Sequence, residues 1–459
     1  MRPVNPRTPP LSTFTPDRVA TAGGTGWLAD RRSAAARLLP VTLPETDEEV
    51  WRYSRVDELD LDDFAPIDAA GVPAGSALPD AVRTILDAVP ARAGAVVTVN
   101  GAVVSIELDD AVAGQGVRLG RASEVDGSEA LVDAVAGDPS DAFGILNQAF
   151  GADPIVLHVP RGQIVTDPVI VVHWLDAGAD ERAVFPHLVV RADENSDVRV
   201  LEWYGSDDIS ALVLPVVELD ADRAARLRYL AVQDLGNRVW QIGTQTSQAG
   251  ADAFVATSQA ALGGDYSRTR SDCRLIGRGA TGNLNAISFG EGTQMLDFRT
   301  FQDHAAPDTT SNLLFKGAVG GSSRSVYTGL IKVRKEGRGT NAFQTNRNIK
   351  LSDQAWAESV PNLEIENNDV RCSHASTVGP VDEDQRFYLE SRGVPTLVAE
   401  RLIVAGFFAE VLDQFPVPAV VPLLQERIEA RLDRDPTVGA AAVEGSDTGT
   451  GIGTEDGRA

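Results

Sequence analysis

Cysteine is almost missing from this 459-residue chain, which has two, Cys273 and Cys372. Two thiols are too few for a disulfide framework or for a self-contained thiolate cage. A reducing compartment fits, and any metal site needs ligands from elsewhere. Long apolar runs are missing too. None approaches the roughly 20 residues that cross a bilayer, and the opening MRPVNPRTPPLSTFTPDRVA has no apolar stretch of the signal-peptide kind. The expectation is a cytoplasmic protein with no membrane partner. Positive charge is scarce, with 41 Lys and Arg against 66 Asp and Glu and a net charge of -25. Such a field repels phosphate backbones and anionic surfaces, so nucleic acid is not expected as a partner. Nucleotide and hydrolase motifs are absent as well. GRGATGN from Gly277 and GAVGGSSR from Gly317 lack the Gly-Lys-Ser/Thr ending of a phosphate loop, and there is no G-x-S-x-G or H-E-x-x-H.

What is present reads as a soluble globular chain, 43% hydrophobic and 23% charged. Pro, Thr and Arg dominate the start, and Gly, Ala and acid the end, so residues 1–25 and 436–459 are expected to be disordered. Residues 26–153 read as a mixed helical domain. Thr46 and Glu49 suggest a capping box ahead of Val50, Trp51 and Tyr53, and a helix is expected around Ser140 to Phe150. From 154 to 379 short runs such as IVLHVP, VIVVHW, HLVVRA and LRYLAVQD alternate with Gly, Asn and Asp, a pattern of strands and turns. A sandwich of that length would split, whereas stacked coils add core without thickening, so an elongated β-solenoid is expected. No strict hexapeptide or nonapeptide period supports it. Residues 380–435 turn helical. Asp382 and Gln385 can cap a helix that Gly393 stops. Val404, Phe408, Val411 and Phe415 form one helix stripe, and Val421, Leu424, Ile428 and Leu432 another.

The segment NLEIENNDVRCSHASTVG carries the chemistry. As a strand after the Asn367-Asn368 turn, it puts Val370, Cys372 and His374 on one face, with Cβ atoms of Cys372 and His374 about 7 Å apart. Thiolate and imidazole suit iron, zinc or an iron-sulfur cluster. Further ligands would have to come from a second chain. An isolated Cys-x-His is more often a buried small residue beside a hydrogen-bonded histidine. Cys273 has no nearby histidine. His304, with Asp303, Asp308 and Lys316, reads as a solvated turn. That same set is the only one that a β-helical carbohydrate lyase, the competing enzyme reading, could use.

The marks DHAAPDTTSNLLFKG, LEIENNDVRCSHASTVG and DQRFYLESRG, with the early WRYSRVDEL, resemble the SufB/SufD family of iron-sulfur cluster assembly proteins, and within it the SufD branch. The likeness runs from about Trp51 to Leu432. It implies a mainly β chain with a right-handed parallel β-helix core flanked by N-terminal and C-terminal helical domains. It implies a non-catalytic subunit that pairs with SufB through the β-helices, or with itself in isolation. The C-terminal helices would dock the ABC-type ATPase SufC, with Tyr388, Arg392, Arg401, Phe407 and Phe408 as candidate contacts. Iron or a nascent cluster would be shared transiently with SufB at Cys372 and His374, and the complex leaves room for a reduced flavin. Ala375-Ser376 departs from the family's usual Gly-Ala. The alternative within the family is a SufB-type scaffold that carries the cluster itself.

Overall fold

The computed structural model describes residues 13–21, 26–68 and 77–434. The long β region is a parallel solenoid of about eight turns, built as two facing sheets of 12 and 10 strands. From Val216 onward consecutive strands fall in opposite sheets, so each coil contributes one strand to each, and neighbouring coils pair in parallel register. Alternation decides what fills the bore. Tyr229, Leu284, Leu313 and Phe315 point inward among Val, Leu and Ala of the facing sheet.

The repeat is one coil, not a hexapeptide. Arg278 and Asp308 occupy the same corner of successive coils, 30 residues apart, and are hydrogen-bonded at 2.9 Å. At that corner the backbone turns left-handed once per coil, at Asn195, Ala224, Asp252, Gly279, Asp308 and Gly339. Asn, Asp and Gly tolerate this region best. The corner amides hydrogen-bond to the next coil, Asp252 N to Arg278 O and Asp308 N to Arg338 O, both at 2.8 Å, so the turns are part of the stack.

The solenoid starts earlier than composition suggested. Strands Gly94–Val99 and Ala102–Leu108 form a hairpin at the head of one sheet, and Arg118–Arg121 lies antiparallel to Ile155–Val159 at the head of the other. The expected mixed helical domain therefore supplies the solenoid's first cap. Its helices, Trp27–Ala36 and Ala142–Phe150, help cover the outer face of the 12-stranded sheet, where Trp51, Phe143, Leu146 and Phe150 pack on Leu214, Trp240, Ile242, Met295 and Val326. Within the expected disordered start, Pro16–Thr21 is a short helix, and Phe14 is buried edge-on against Phe150 at 5.4 Å. Residues 436–459 lie outside the described residues.

The capping box at Thr46 does not form. Glu49–Trp51 is a single 3-10 turn, and the Thr46 hydroxyl donates to Asp57 instead at 2.6 Å. The C-terminal signals do hold. Asp382 accepts from Gln385 N at 2.9 Å ahead of helix Glu383–Glu390, and Gly393 follows it with a φ of 83°. Helices Thr396–Leu412 and Val421–Arg434 lay their apolar stripes on the outer face of the 10-stranded sheet, with Val404, Phe408, Val411, Leu424 and Ile428 against Leu230, Leu262, Ile287 and Phe289; Phe415, expected on the first stripe, lies in the same cluster just past that helix's end.

Candidate metal-handling site at the open end of the solenoid

One end of the stack is capped and both outer faces are partly covered, but the other end is open. The last strands, Trp356–Ile365 and Arg371–Pro380, each pair on one side only. Their residues are half-buried to exposed along the whole length, unlike the buried strands beneath. Unpaired strand edges invite another chain.

Cys372 and His374 sit on this last coil. Register places Cys372 over Ala342 and His374 over Gln344, and Ala342 and Gln344 are buried. Both side chains therefore belong to the column that faces the bore, and the expectation that they share a face holds. Cys372 is half-buried, packed with Leu363 and Val370 over Ile331, Val333 and Ala342. Its partial burial raises the thiol above its ordinary value, against a smaller opposing hydrogen bond with the Ala342 backbone. In general a cysteine binds metal as the thiolate, so its proton is released on metal binding. His374 is exposed. The donor set is one soft sulfur and one imidazole, which suits iron or an iron-sulfur cluster as cargo.

Other residues singled out in the sequence are dispersed. His304 is fully buried, not part of a solvated turn. Its ring bonds Thr309 Oγ1 at 2.8 Å and Ser311 Oγ at 2.9 Å. The turn reading failed because His304, the second residue of the polar DHAAPD run, is still the inward-facing last residue of strand Met295–His304. Burial lowers the His304 pKa to about 4, against an opposing effect of Asp303. The unfolded imidazole titrates near 6.5, so the stabilisation from a neutral His304 is full above pH 6.5 and is lost as pH falls toward 4. Between pH 7 and pH 5 the native chain should lose about 2 kcal/mol more stability than His304→Gln. Urea unfolding of both proteins at the two pH values checks this, and parallel losses would refute it.

Asp303 pairs with Arg334, Asp308 with Arg278, and Lys316 lies beneath the C-terminal helices, bonded to Phe407 O at 2.7 Å and Glu410 at 2.6 Å. These three groups do not form the single acid-base face that a polysaccharide lyase needs. Cys273 is buried in the bore, and burial pushes its thiol up to about 11.

Among the candidate docking residues, Phe408 is 1% exposed and belongs to the core, so it cannot meet a partner. The stripe that buries Val404 and Val411 carries it inward. Tyr388 is exposed with Arg392 stacked on its ring at 3.7 Å, Arg401 pairs with Asp433 at 2.5 Å, and Phe407 is half-buried over the Lys316 ammonium. Sequence patterning missed the larger apolar residues beside them, Phe387 at 70% and Leu402 at 52% exposure. An aromatic on a helix with no second stripe was the available signal. Tyr388, Leu402 and Phe407 line a groove of about 800 Å³ between helices Glu383–Glu390 and Thr396–Leu412.

A second cluster of metal-capable groups, Asp133, His187 and Glu218, was not legible in the sequence. It is already satisfied. Arg31 takes both Asp133 oxygens at 2.6 and 2.8 Å, and His187 Nε2 meets Glu218 Oε1 at 3.0 Å. The backbone amides of Val135 and Ala136 donate to Glu218 Oε2, each at 2.9 Å. Burial alone would raise the Glu218 carboxyl, but His187 and these amides outweigh it and hold it below its ordinary value. A guanidinium at the centre repels a cation, so the cluster acts as a clasp between the N-terminal segments and the solenoid.

The architecture is a two-sheet parallel solenoid with helices on both faces and one open end that bears Cys372 and His374. A family model for the SUF system FeS cluster assembly SufBD core domain matches residues 174–407. The chain belongs to this SufBD family, has a role in iron-sulfur cluster assembly, and is similar to proteins named SufD. It is 36% identical over 304 residues to an iron-sulfur cluster assembly SufBD family protein of Mycobacterium tuberculosis, covering 64% of this chain and 74% of that one. It is 27% identical over 402 residues to the iron-sulfur cluster assembly protein SufD of Escherichia coli, covering 86% and 91%. Against SufD of Bacillus subtilis the figure is 29% over 282 residues, covering 60% and 63%. No helix among the described residues is long and apolar enough to cross a membrane.

Proposed function

We propose that this chain is a SufD-type, non-catalytic subunit of a SufBCD complex, and that its open solenoid end docks a SufB-type chain. The observation that carries the reading is the pair of uncovered edge strands bearing Cys372 and His374 on the bore-facing column. The partner would supply the missing ligands, and iron or the nascent cluster is the cargo handled at the junction. The C-terminal helices, with their exposed Phe387, Tyr388 and Leu402, would carry the ABC-type ATPase SufC. ATP hydrolysis then belongs to that partner. A reduced flavin in the complex and a homodimer in isolation remain part of the proposal, and a cytoplasmic location fits the chemistry.

The test is co-expression with SufB and SufC. The three chains should copurify and assemble clusters, and His374→Ala should lower cluster yield at least about tenfold, as expected for loss of a metal ligand or its close support, while the complex stays intact. Unchanged yield in an intact complex would sink the assignment of His374.

A further inference from the structure

The bore is not apolar throughout. In strand Val239–Ala249, Trp240 and Ile242 pack outward beneath the N-terminal segments, so alternation turns Gln241, Gly243 and Gln245 inward. Gln241 and Gln245 are 4% and 3% exposed. Neither Gln241 Oε1 nor either polar atom of the Gln245 amide has a hydrogen-bond partner in the protein. Buried amides are nearly always paired, so these orphans, close together on one strand, point to a ligand. Other glutamines nearby show the usual state. Gln233 exchanges two bonds with the Gly263 backbone, both at 2.8 Å, and Gln259 donates to Ser271 Oγ at 3.0 Å.

Small residues leave room for that ligand. Gly243 stands between the two glutamines and has no side chain to fill the bore; a Cβ there would lie 2.7 Å from Pro215 Cγ of the neighbouring coil. Ala231 and Ala261 line the same space from the facing sheet. The cavity between them offers about 30 Å³ to the centres of water molecules. One water centre takes about 10–15 Å³, so the space suits about two. Its chemistry narrows the choice further. No Asp, Glu, Lys, Arg or His among the described residues lines it, so an ion would be buried without a counter-charge. An apolar guest would leave the amides unpaired. Gln302 and Gln344, which also lack partners, do not line this cavity.

We propose that this cavity is a binding site for about two ordered water molecules, which join the Gln241 and Gln245 side chains to each other across Gly243. The donors and acceptors balance. One water donates to Gln241 Oε1 and to Gln245 Oε1. The other accepts from Gln245 Nε2 and donates to the first, which leaves its second hydrogen for the Thr269 hydroxyl on the cavity wall. Each water then has the two to four polar partners that buried water requires. The site lies inside the coil stack, and it stands or falls independently of the SufD reading.

The test is an atomic-resolution crystal structure of the full-length chain without partners. Separate solvent peaks should fill the cavity, within about 3.2 Å of Gln241 Oε1 and of the Gln245 amide atoms. Gln245→Met, close to Gln in shape but without the amide, should lose them, since too few polar partners remain to hold buried water. In solution, oxygen-17 relaxation dispersion of water should count about two fewer long-lived waters in the Met variant than in the native chain. A native cavity without solvent density overturns the proposal. So does continuous density too large for separate waters, which would assign the site to another ligand. Waters retained in the Met variant overturn it as well, because Gln245 would not be what holds them. If the Met variant does not fold, the native density decides alone.

Discussion

Replacing Asp297 by alanine is expected to cost about 3–5 kcal/mol of folding stability, the usual penalty for stranding a buried charge. Asp297 is 1% exposed and takes two bonds from Arg299, Nε to Oδ1 at 2.7 Å and Nη2 to Oδ2 at 3.0 Å, while Tyr266 donates to Oδ2 at 3.0 Å. Arg268, also buried, approaches Oδ2 at 3.7 Å. The two guanidiniums do more than balance one carboxylate. Arg299 donates to Arg52 O at 2.7 Å, and Arg268 donates to Val50 O at 3.0 Å with its guanidinium 3.7 Å from the Trp51 ring centre. They hold the WRYS segment onto the solenoid. Without Asp297 both cations keep their burial and lose their counter-charge, so the segment should detach before the coils unstack. Chemical denaturation followed by tryptophan fluorescence reads the loss. Asp297→Asn should lie between alanine and the native residue, because it keeps an acceptor without the charge. An alanine variant within about 0.5 kcal/mol of the native chain, the range of an ordinary surface change, would show that the network is not stabilising.

That clasp also shows where sequence reading stops. Arg268 and Arg299 lie in strands where arginine ordinarily marks a wet face, and Arg299 meets its carbonyl partner 247 residues earlier in the chain. No local pattern reports such a return. His304 was misread for a related reason, since polar neighbours suggested solvent while the strand phase pointed it into the bore. What was legible rests on periodicity. Alternation along RCSHAS put Cys372 and His374 together on one face, and the stripe at Val404, Phe408 and Val411 is the buried one. The same stripe should have ruled out Phe408 as a docking contact, because one side chain cannot serve both faces. The coil was hidden because its repeat is about 30 residues with one left-handed residue, Asn, Asp, Gly or once Ala, at one corner, a signal too sparse for a search by short periods.

As a test of the proposed ATPase docking, Phe387→Lys together with Leu402→Lys should abolish recovery of the ATPase with this chain. Phe387 is 70% exposed and Leu402 52%, beside Tyr388 at 56%. Tyr388 and Leu402 line one groove between two helices, and Phe387, next to Tyr388 in sequence, is open on the same helix; exposed apolar side chains of this size often mark a partner site. Central anchors of an interface are worth about 2 kcal/mol or more apiece, roughly thirtyfold in affinity, and placing a charge where an aromatic docked adds a desolvation cost. The double variant should therefore weaken binding by about a thousandfold if the sites act independently, read by calorimetry with the purified ATPase. Folding should barely change, within about 0.5 kcal/mol, since neither side chain is part of the core. Phe408→Ala reverses the pattern. Its buried ring should cost about 3–5 kcal/mol of stability, and whatever chain stays folded should still bind. If the lysine double variant binds the ATPase as tightly as the native chain, the helical pair is not the docking face. The exposed apolar groove would then have to be covered by a different partner.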